Sequence, residues 1–331
     1  MTERRSATHP TSLSGLKDLV AHQDFLQNDR PRVDDSDRMR RRYNGRISFL
    51  EHRANRAFLD TGQEWMEINE GRMPARWLGL EGAFHTGKSE TAAMLALKVC
   101  RDVWGEFGHE VEDAEGRHVI YPVVYVVAGA NDTERQLCEQ MMFALDMPEP
   151  ARRDTTTTTA VLNLIAAQMR RSRTELLCID DTHQIQVGRG RHVTKFFKKT
   201  FSTLPVTLLF IADQLDETWL LKPSGSDPEN QKAAQQLAER KIVTTYVPVP
   251  VSAAGQSEWI ELVQLCLDAP VLQHDHTLTG VDYAWLLQMC QGHRVKLLET
   301  MILASRRAVG GSERIDRPGL EEAARVLEGD S

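Results

Sequence analysis

The sequence lacks an apolar run of membrane-spanning length, and its first residues, Met1 to Ser6, lack the apolar core of a signal peptide. It also lacks an excess of positive charge, because 40 Lys and Arg face 47 Asp and Glu for a net charge of −7. This net charge gives no indication of nucleic-acid binding, although individual faces of the protein could still be basic. We therefore expect a cytoplasmic protein that does not contact a membrane.

Cysteine is sparse and unpaired in its spacing. The five cysteines are scattered through apolar segments, at Cys100, Cys138, Cys178, Cys266 and Cys290. An odd number without metal-ligand spacing argues against a disulfide framework and against a zinc site. Buried, reduced thiols explain the pattern best.

The chain has the length and composition of a globular protein with more than one part. It contains 331 residues, of which 41% are hydrophobic and 26% charged, enough to bury a sizeable core. Strand and helix patterns alternate up to about residue 250, and only helical patterns follow. We expect a helical extension over 1–72, an α/β domain over 73–250 and a helical subdomain over 251–331.

The most informative stretch is Gly82-x-x-x-x-Gly87-Lys88-Ser89, which follows a short apolar run and precedes an apolar helical pattern. It is the phosphate-binding loop (P-loop) signature in strand–loop–helix context, and a chance glycine-rich turn is the alternative. Glycines let backbone N–H groups face phosphate oxygens at the positive end of the following helix. Lys88 is expected to reach the β- and γ-phosphates and Ser89 to ligate Mg²⁺. The expected nucleotide-binding segment comprises Gly82, Ala83, Phe84, His85, Thr86, Gly87, Lys88, Ser89 and Glu90.

A second acidic motif lies about ninety residues after the first. The apolar run Leu176 to Ile179 ends in Asp180 and Asp181, as in a Walker B strand. Asp180 is expected to hold the Mg²⁺ shell, and Asp181 stands where related ATPases place a water-orienting Glu. Such a run is weak evidence alone, but its distance from the P-loop strengthens both motifs.

The order of elements predicts the fold class. Further strands are expected over 121–128, 205–212 and 242–247, with a helix over 132–145 capped by Asn131 or Asp132. Residues 105–116 are predicted to form a loop or an irregular hairpin. Strands alternating with helices predict a parallel α/β sheet with helices on both faces, followed by a C-terminal helical lid.

Two polar segments leave alternatives open. A single helix after Asp34–Asp37 is predicted to carry seven arginines between Arg38 and Arg56, as a DNA-phosphate face, a solvated face or a subunit contact. The run Thr155–Thr159 follows Arg152 and Arg153. It could contact phosphate or form a tolerated low-complexity loop, since a helix cap explains only one threonine.

These motifs together resemble AAA+ ATPases and, more narrowly, the TniB/TnsC family of transposition-associated ATPases, over about residues 35–325. The matching pieces are Gly82–Ser89, the strand at Pro122, Leu176–Ile185, Gln236-x-x-x-Arg240 and Gly292–Thr300. The resemblance implies ATP as the nucleotide. It implies that Arg240 is an arginine finger acting on a neighbouring subunit, and that Arg294 is the lid arginine that senses the γ-phosphate. Ordinary surface or capping roles are the alternatives for both arginines.

Two departures from the family pattern bear on hydrolysis. Asp181 is one methylene shorter than the usual Glu, which predicts slow hydrolysis. The strand ending at Ala212 lacks the usual polar sensor unless Asp213 or Gln214 supplies it. His183 could relay the nucleotide state or simply cap the turn after its strand.

The function that the resemblance implies is an ATP-dependent regulator of DNA transposition, which marks target DNA and recruits a transposase. Rings or filaments of the chain would bind duplex DNA without sequence preference. Candidate DNA contacts are Arg152, Arg153, Thr155, Arg189, Arg191 and Lys195. The main alternative is a signalling or defence ATPase that switches protein contacts without DNA. A scaffold with a degenerate P-loop is disfavoured, because Lys88, Ser89 and Asp180 are all present.

Overall fold

The computed structural model describes residues 10–70, 75–113, 116–130, 132–148, 157–185, 193–218, 221 and 228–329. The described residues group into two compact units. The sheet unit comprises residues up to 20, 57–82 and 88–246. The helical unit comprises residues 21–56, 83–87 and those from 247 onward.

The sheet unit contains a five-stranded parallel sheet in the order β4-β5-β6-β1-β7. Its strands are β1 (Trp77–Gly82), β4 (Val123–Val127), β5 (Leu176–Asp180), β6 (Thr207–Ala212) and β7 (Lys241–Tyr246). A separate antiparallel hairpin pairs β2 (Glu110–Asp113) with β3 (Gly116–Val119). Because all five strands are parallel, their carboxyl ends lie along one edge of the sheet, where the sequence places both acidic and phosphate-binding motifs.

Helices make up most of the remaining chain. They are α1 (Leu13–Asn28), α2 (Asp37–Asn44), α3 (Arg53–Asn69), α4 (Lys88–Phe107), α5 (Glu134–Ala144), α6 (Thr158–Arg171), α7 (Val193–Thr203), α8 (Pro228–Ala238), α9 (Gln256–Asp268), α10 (Gly280–Cys290), α11 (Arg294–Ala308) and α12 (Arg317–Glu328).

Strands β4, β5 and β6 are largely apolar and buried, as expected for strands that are covered on both faces of a sheet. Every residue of β5 and of β6 is buried. On one face an aromatic cluster joins Trp77 to Phe210 in an edge contact, with ring centroids 5.4 Å apart, and Phe197 and Phe201 also pack on Phe210. The indole N–H of Trp77 donates to the carbonyl of Leu237 at 2.8 Å, so this large side chain is buried without an unpaired donor.

The helical unit is held together by an ion pair between distant parts of the sequence. The guanidinium of Arg40, which is 1% exposed, donates to both carboxylate oxygens of Glu313, at 2.5 and 2.9 Å. Arg40 also donates to Asp37. The hydrogen bonds from Arg40 hold the pKa of Glu313 below its usual value. Charged groups tolerate such burial only when they are paired and hydrogen-bonded.

Glu313→Gln is expected to lower the free energy of unfolding at pH 7 by about 3 kcal/mol, because it leaves the buried Arg40 with only Asp37 as a carboxylate partner. The folded-state pKa of Glu313 is depressed, so its contribution is present above the unfolded-state pKa and is lost as pH falls through the folded-state value. Urea denaturation at pH 7 and in the acid range measures both effects. Glu322→Gln, in the exposed Arg307–Glu322 pair, is the control and should change stability by less than about 0.5 kcal/mol. If Glu313→Gln and Glu322→Gln lowered the free energy of unfolding equally, the buried pair of Arg40 and Glu313 would not be the stabilising contact described here.

Several expectations are corrected at the level of local structure. The arginine-rich segment is not one helix, since α2 ends at Asn44 and α3 begins only at Arg53. Three of its arginines also make contacts within the protein: Arg41 donates to the carbonyl of Val309, while Arg42 and Arg46 lie over the ring of Phe25. These contacts give the three arginines structural roles.

Smaller corrections concern caps and loops. The cap of α5 is Thr133 rather than Asn131 or Asp132, because Thr133 and Gln136 form a capping box. Of the two alternatives for residues 105–116, the structure shows the hairpin, in which residues 110–113 pair with residues 116–119, and α4 continues to Phe107. All five cysteines are buried free thiols, as expected. Among the described helices, none is long and apolar enough to span a membrane.

Candidate nucleotide-binding site

The P-loop connects the end of β1 directly to the start of α4. Gly82 closes β1 with a φ of 149°, a backbone conformation that side chains rarely adopt. A Cβ atom built on Gly82 would lie 1.9 Å from the carbonyl oxygen of Tyr246 on the paired strand β7. Gly87 has a φ of 91°, so the second glycine of the motif is also required by the backbone. The loop geometry therefore explains both glycines and leaves backbone surface available for phosphate.

Lys88 begins α4, and its ammonium group points back to the strand ends of the sheet unit. Its Nζ donates to the carbonyl of Gly82 at 2.5 Å and to Oδ1 of Asp213 at 3.2 Å. Glu90, in the first turn of α4, places a negative charge near the positive end of the helix. Lys88 is thus in the position that a P-loop lysine needs, with an anionic neighbour that the P-loop motif does not require.

The tip of the loop, residues 83–87, groups with the helical unit. Inside it, Thr86 is buried and donates to the carbonyl of Ala83 at 2.8 Å, whereas the ring of Phe84 is 63% exposed. His85 has a left-handed backbone, with a φ of 59°, and its carbonyl accepts a hydrogen bond from the N–H of Val295 at 3.3 Å. The ring of His85 also meets the ring of His293 edge-on. His85 therefore has a structural role that its variable position in the motif does not suggest.

Asp180 lies at the carboxyl end of β5 and is 1% exposed. Its Oδ2 accepts the hydroxyl of Tyr125 at 2.8 Å, and its Oδ1 accepts the N–H of Asp181 at 2.8 Å. Burial, followed by the charge of Asp180, raises the pKa of Tyr125 well above its ordinary value. Tyr125 therefore remains a donor, and it fixes the orientation of the Asp180 carboxylate.

Asp181 turns the chain out of β5 with a left-handed φ of 52°. Aspartate and asparagine adopt this conformation more readily than glutamate does. The shape of the backbone thus gives a local reason for an aspartate at the position where related ATPases have a glutamate.

The residues present fit a nucleotide with Mg²⁺. Ser89 and Asp180 offer two oxygen ligands, and Mg²⁺ in such sites takes its other ligands from phosphates and water. Within the described ranges, no group of three or more His, Cys, Asp or Glu side chains forms a protein-only metal site. Bound Mg²⁺ would neutralise phosphate charge, while Lys88, Ser89 and the loop amides would hold the phosphates.

Arg240 and Arg294, for which the family resemblance implies roles at the nucleotide, lie in different surroundings. Arg240 follows α8, its carbonyl accepts the N–H of Trp77 at 3.1 Å, and its half-buried side chain has no hydrogen bond or ion pair with another described residue. Arg294 starts α11 in the helical unit and donates to Glu258 at 2.6 Å and to the carbonyl of Val247 at 2.8 Å. Burial and the charge of Arg294 lower the pKa of His52 to about 4. Arg294 is therefore held by its own unit, whereas Arg240 is the arginine with a partly exposed side chain.

The candidate DNA contacts cannot be placed in space. Arg152, Arg153, Thr155, Arg189 and Arg191 lie outside the described residues, and Lys195 belongs to α7 without a described side chain. Of the threonine run, Thr157 caps α6, and Thr159 accepts a hydrogen bond from Lys199. Two of the five threonines thus have ordinary structural roles.

One family model matches the central part of the chain. The family model described as bacterial TniB protein matches residues 43–201, which include the P-loop, β4 and the Asp180–Asp181 motif. Over these residues the chain is similar to bacterial TniB proteins. No curated protein matches the TniB-like chain.

Solved structures with similar chain traces were found, and the first of them shows that its fold is shared by the TniB-like chain. Orc1 of Aeropyrum pernix, solved in complex with DNA, matches 87% of this chain and 68% of its own, with 17% identity and a TM-score of 0.53. A RuvB variant of Thermotoga maritima matches 85% of this chain and 70% of its own, with 11% identity and a TM-score of 0.44. Drosophila ORC, solved with GC-rich DNA and Cdc6, matches 95% of this chain and 44% of its own, with 9% identity and a TM-score of 0.46. The predicted fold class is confirmed.

Sequence reasoning missed two residues that touch the motif side chains. Tyr125 sits on the strand next to β5, and no motif connects its hydroxyl to Asp180. Asp213 was considered only as a possible polar sensor, and its ion pair with Lys88 was not foreseen. A polar residue directly after a buried strand that neighbours the P-loop strand is the signal that could have found the pair.

Proposed function

We propose that the TniB-like chain is an ATP-dependent, DNA-binding AAA+ regulator of DNA transposition, in which slow ATP hydrolysis acts as a switch. The observation that carries the proposal is the TniB match over residues 43–201. In this segment Lys88 donates to the carbonyl of Gly82, and the carboxylate of Asp180 accepts the N–H of Asp181 at the end of β5. ATP with Mg²⁺ would be held by residues 82–90 and Asp180. Asp181 would orient the attacking water, and Arg240 would serve a neighbouring subunit in a ring or filament.

The DNA part of the proposal is supported by the similarity to bacterial TniB proteins over residues 43–201 and by the fold shared with Orc1, which was solved in complex with DNA. The six candidate DNA contacts remain a proposal. Binding through phosphates alone would be independent of sequence and would weaken steeply with salt. Recruitment of a transposase by DNA-bound oligomers completes the proposed function.

The test combines nucleotide binding with imaging. Purified chain would be incubated with a non-hydrolysable ATP analogue and Mg²⁺, with and without duplex DNA, and inspected by negative-stain electron microscopy. Lys88→Ala should reduce nucleotide affinity by about 100-fold or more, because it removes the cation that meets the β- and γ-phosphates. It should also abolish the assemblies.

Lys98→Ala is the matched control, because Lys98 lies on the same helix, α4, ten residues further along. It should bind nucleotide and assemble like the unchanged chain. Rings or filaments that need both nucleotide and DNA support the proposal. Absence of nucleotide binding by the unchanged chain would refute it.

A second candidate is a signalling or defence ATPase that acts through protein contacts without DNA. The acidic net charge of −7 favours it, as does the engagement of Arg40, Arg41, Arg42 and Arg46 in contacts inside the protein. Nucleotide-dependent oligomers that ignore DNA, at low as well as moderate salt, would select this candidate.

A further inference from the structure

An unassigned carboxylate lies beside the P-loop lysine. Asp213 follows β6, the strand next to β1, and its backbone carbonyl accepts the N–H of Gly82 at 3.1 Å. Its Oδ1 lies 3.2 Å from Nζ of Lys88, and its Oδ2 lies 4.0 Å from Nε2 of His183. These four residues belong to the sheet unit, so the arrangement is internal to one compact body.

The Lys88–Asp213 pair is sheltered from solvent. The side chain of Lys88 is 10% exposed and that of Asp213 is 27% exposed. Hydrogen bonds between charged groups are about twice as strong as those between neutral groups, and shielding from water reduces their screening. A lysine has three donors, and Gly82 and Asp213 accept from Lys88 in this arrangement.

A nucleotide phosphate would accept hydrogen bonds from the ammonium group of Lys88, as Asp213 does. Both are oxygen anions that need an ammonium donor, and two anions that share one ammonium repel each other. The backbone of Asp213 is fixed by the hydrogen bond from the N–H of Gly82 to its carbonyl, so the main chain keeps this residue close to Lys88. Its side chain can still rotate, and His183 lies on its other side.

We propose that Asp213 is a positioning residue that competes with the nucleotide phosphate for Lys88. Nucleotide binding would release Asp213 from Lys88 and leave its carboxylate beside His183, whose Nε2 lies 4.0 Å from its Oδ2. The inference rests on the proposed nucleotide site and adds a form of regulation to it. Asp213 lowers nucleotide affinity, because binding must first break its hydrogen bond to Lys88. It supports turnover, because a carboxylate held by His183 can accept a hydrogen bond from water at the end of β6.

Asp213→Asn separates these two effects. Asparagine keeps the size and removes the negative charge, so the dissociation constant for a fluorescent ADP and for a non-hydrolysable ATP analogue should fall about tenfold. The turnover number should fall in the same variant. A residue with a merely structural role would weaken binding and turnover together.

The matched control is Asp216→Asn. It removes an exposed carboxylate that lies three residues after Asp213 and pairs with Lys241 of β7. It should leave affinity and turnover within about twofold of the unchanged chain, as expected for a surface ion pair. His183→Gln should lower turnover while affinity stays within the same limits. Thermal unfolding without nucleotide verifies that each variant is folded.

Two failures can be told apart. If the unchanged chain binds no nucleotide, the proposed function itself fails. If the unchanged chain binds and Asp213→Asn binds equally or more weakly, Asp213 does not compete for Lys88 and the inference is overturned. If His183→Gln turns over like the unchanged chain, the part assigned to His183 is wrong.

Discussion

Asp181→Asn should reduce ATP hydrolysis by about 100-fold or more while nucleotide affinity stays nearly unchanged. The amide cannot accept a proton or orient the attacking water as a carboxylate does, and removal of such a group costs about 10²–10⁴ in rate. Asparagine is chosen because residue 181 has a φ of 52°, which asparagine tolerates as well as aspartate does. Single-turnover hydrolysis with radiolabelled ATP, together with equilibrium binding, measures both quantities.

Asp181→Ala provides the comparison for this prediction. Alanine tolerates the left-handed backbone poorly, so this variant should lose about 1 kcal/mol of stability as well as activity. Hydrolysis by Asp181→Asn at the rate of the unchanged chain would show that another group orients the water. Asp213 would then be the next carboxylate to test.

Gly82→Ala is expected to lower the free energy of unfolding by at least about 3 kcal/mol and to abolish nucleotide binding. The added Cβ would lie 1.9 Å from the carbonyl oxygen of Tyr246, which belongs to the neighbouring strand and cannot move without disturbing the β1–β7 pairing. Urea denaturation and fluorescent nucleotide binding measure the two effects.

Gly105→Ala is the control for the glycine change, because nothing lies within 4 Å of the Cβ that it would add to α4. It should stabilise the chain by about 0.5–1 kcal/mol, as expected for alanine in place of glycine inside a helix. A neutral Gly82→Ala variant would mean that the strand pairing at Tyr246 yields more easily than the geometry indicates.

Much of the sheet unit could be predicted because its determinants are local. The apolar runs around Leu78, Leu177 and Leu209 lie on buried strands, and the P-loop begins directly after the first of them. The strand before the P-loop and the helix after it are adjacent to the motif in the sequence, so the motif and its structural context can be recognised together. The fold class follows from the alternation of strands and helices.

Other features depend on neighbours that are distant in sequence. The contact between Asp213 and Lys88 requires that β6 pairs with β1, and the bond between Tyr125 and Asp180 requires that β4 pairs with β5. The order of the strands in the sheet cannot be predicted from any single segment of the sequence. The cap at Thr133 was missed for a smaller reason, since Asn131, Asp132 and Thr133 are all good capping residues. Asn131 is followed three residues later by Glu134, just as Thr133 is followed by Gln136, so the spacing does not choose between them.

The ion pair between Arg40 and Glu313 also bears on how the chain is made. The two residues are 273 positions apart, and at common rates of synthesis the ribosome needs roughly 14–55 s to travel between them. For most of that time residues 21–56 have been synthesised, while the helices α9–α12 that share their unit have not. The nascent chain therefore carries an early segment that must wait for its last-made part. A chaperone that binds this segment, or a premature stop near the carboxyl terminus, would decide whether the helical unit ever closes.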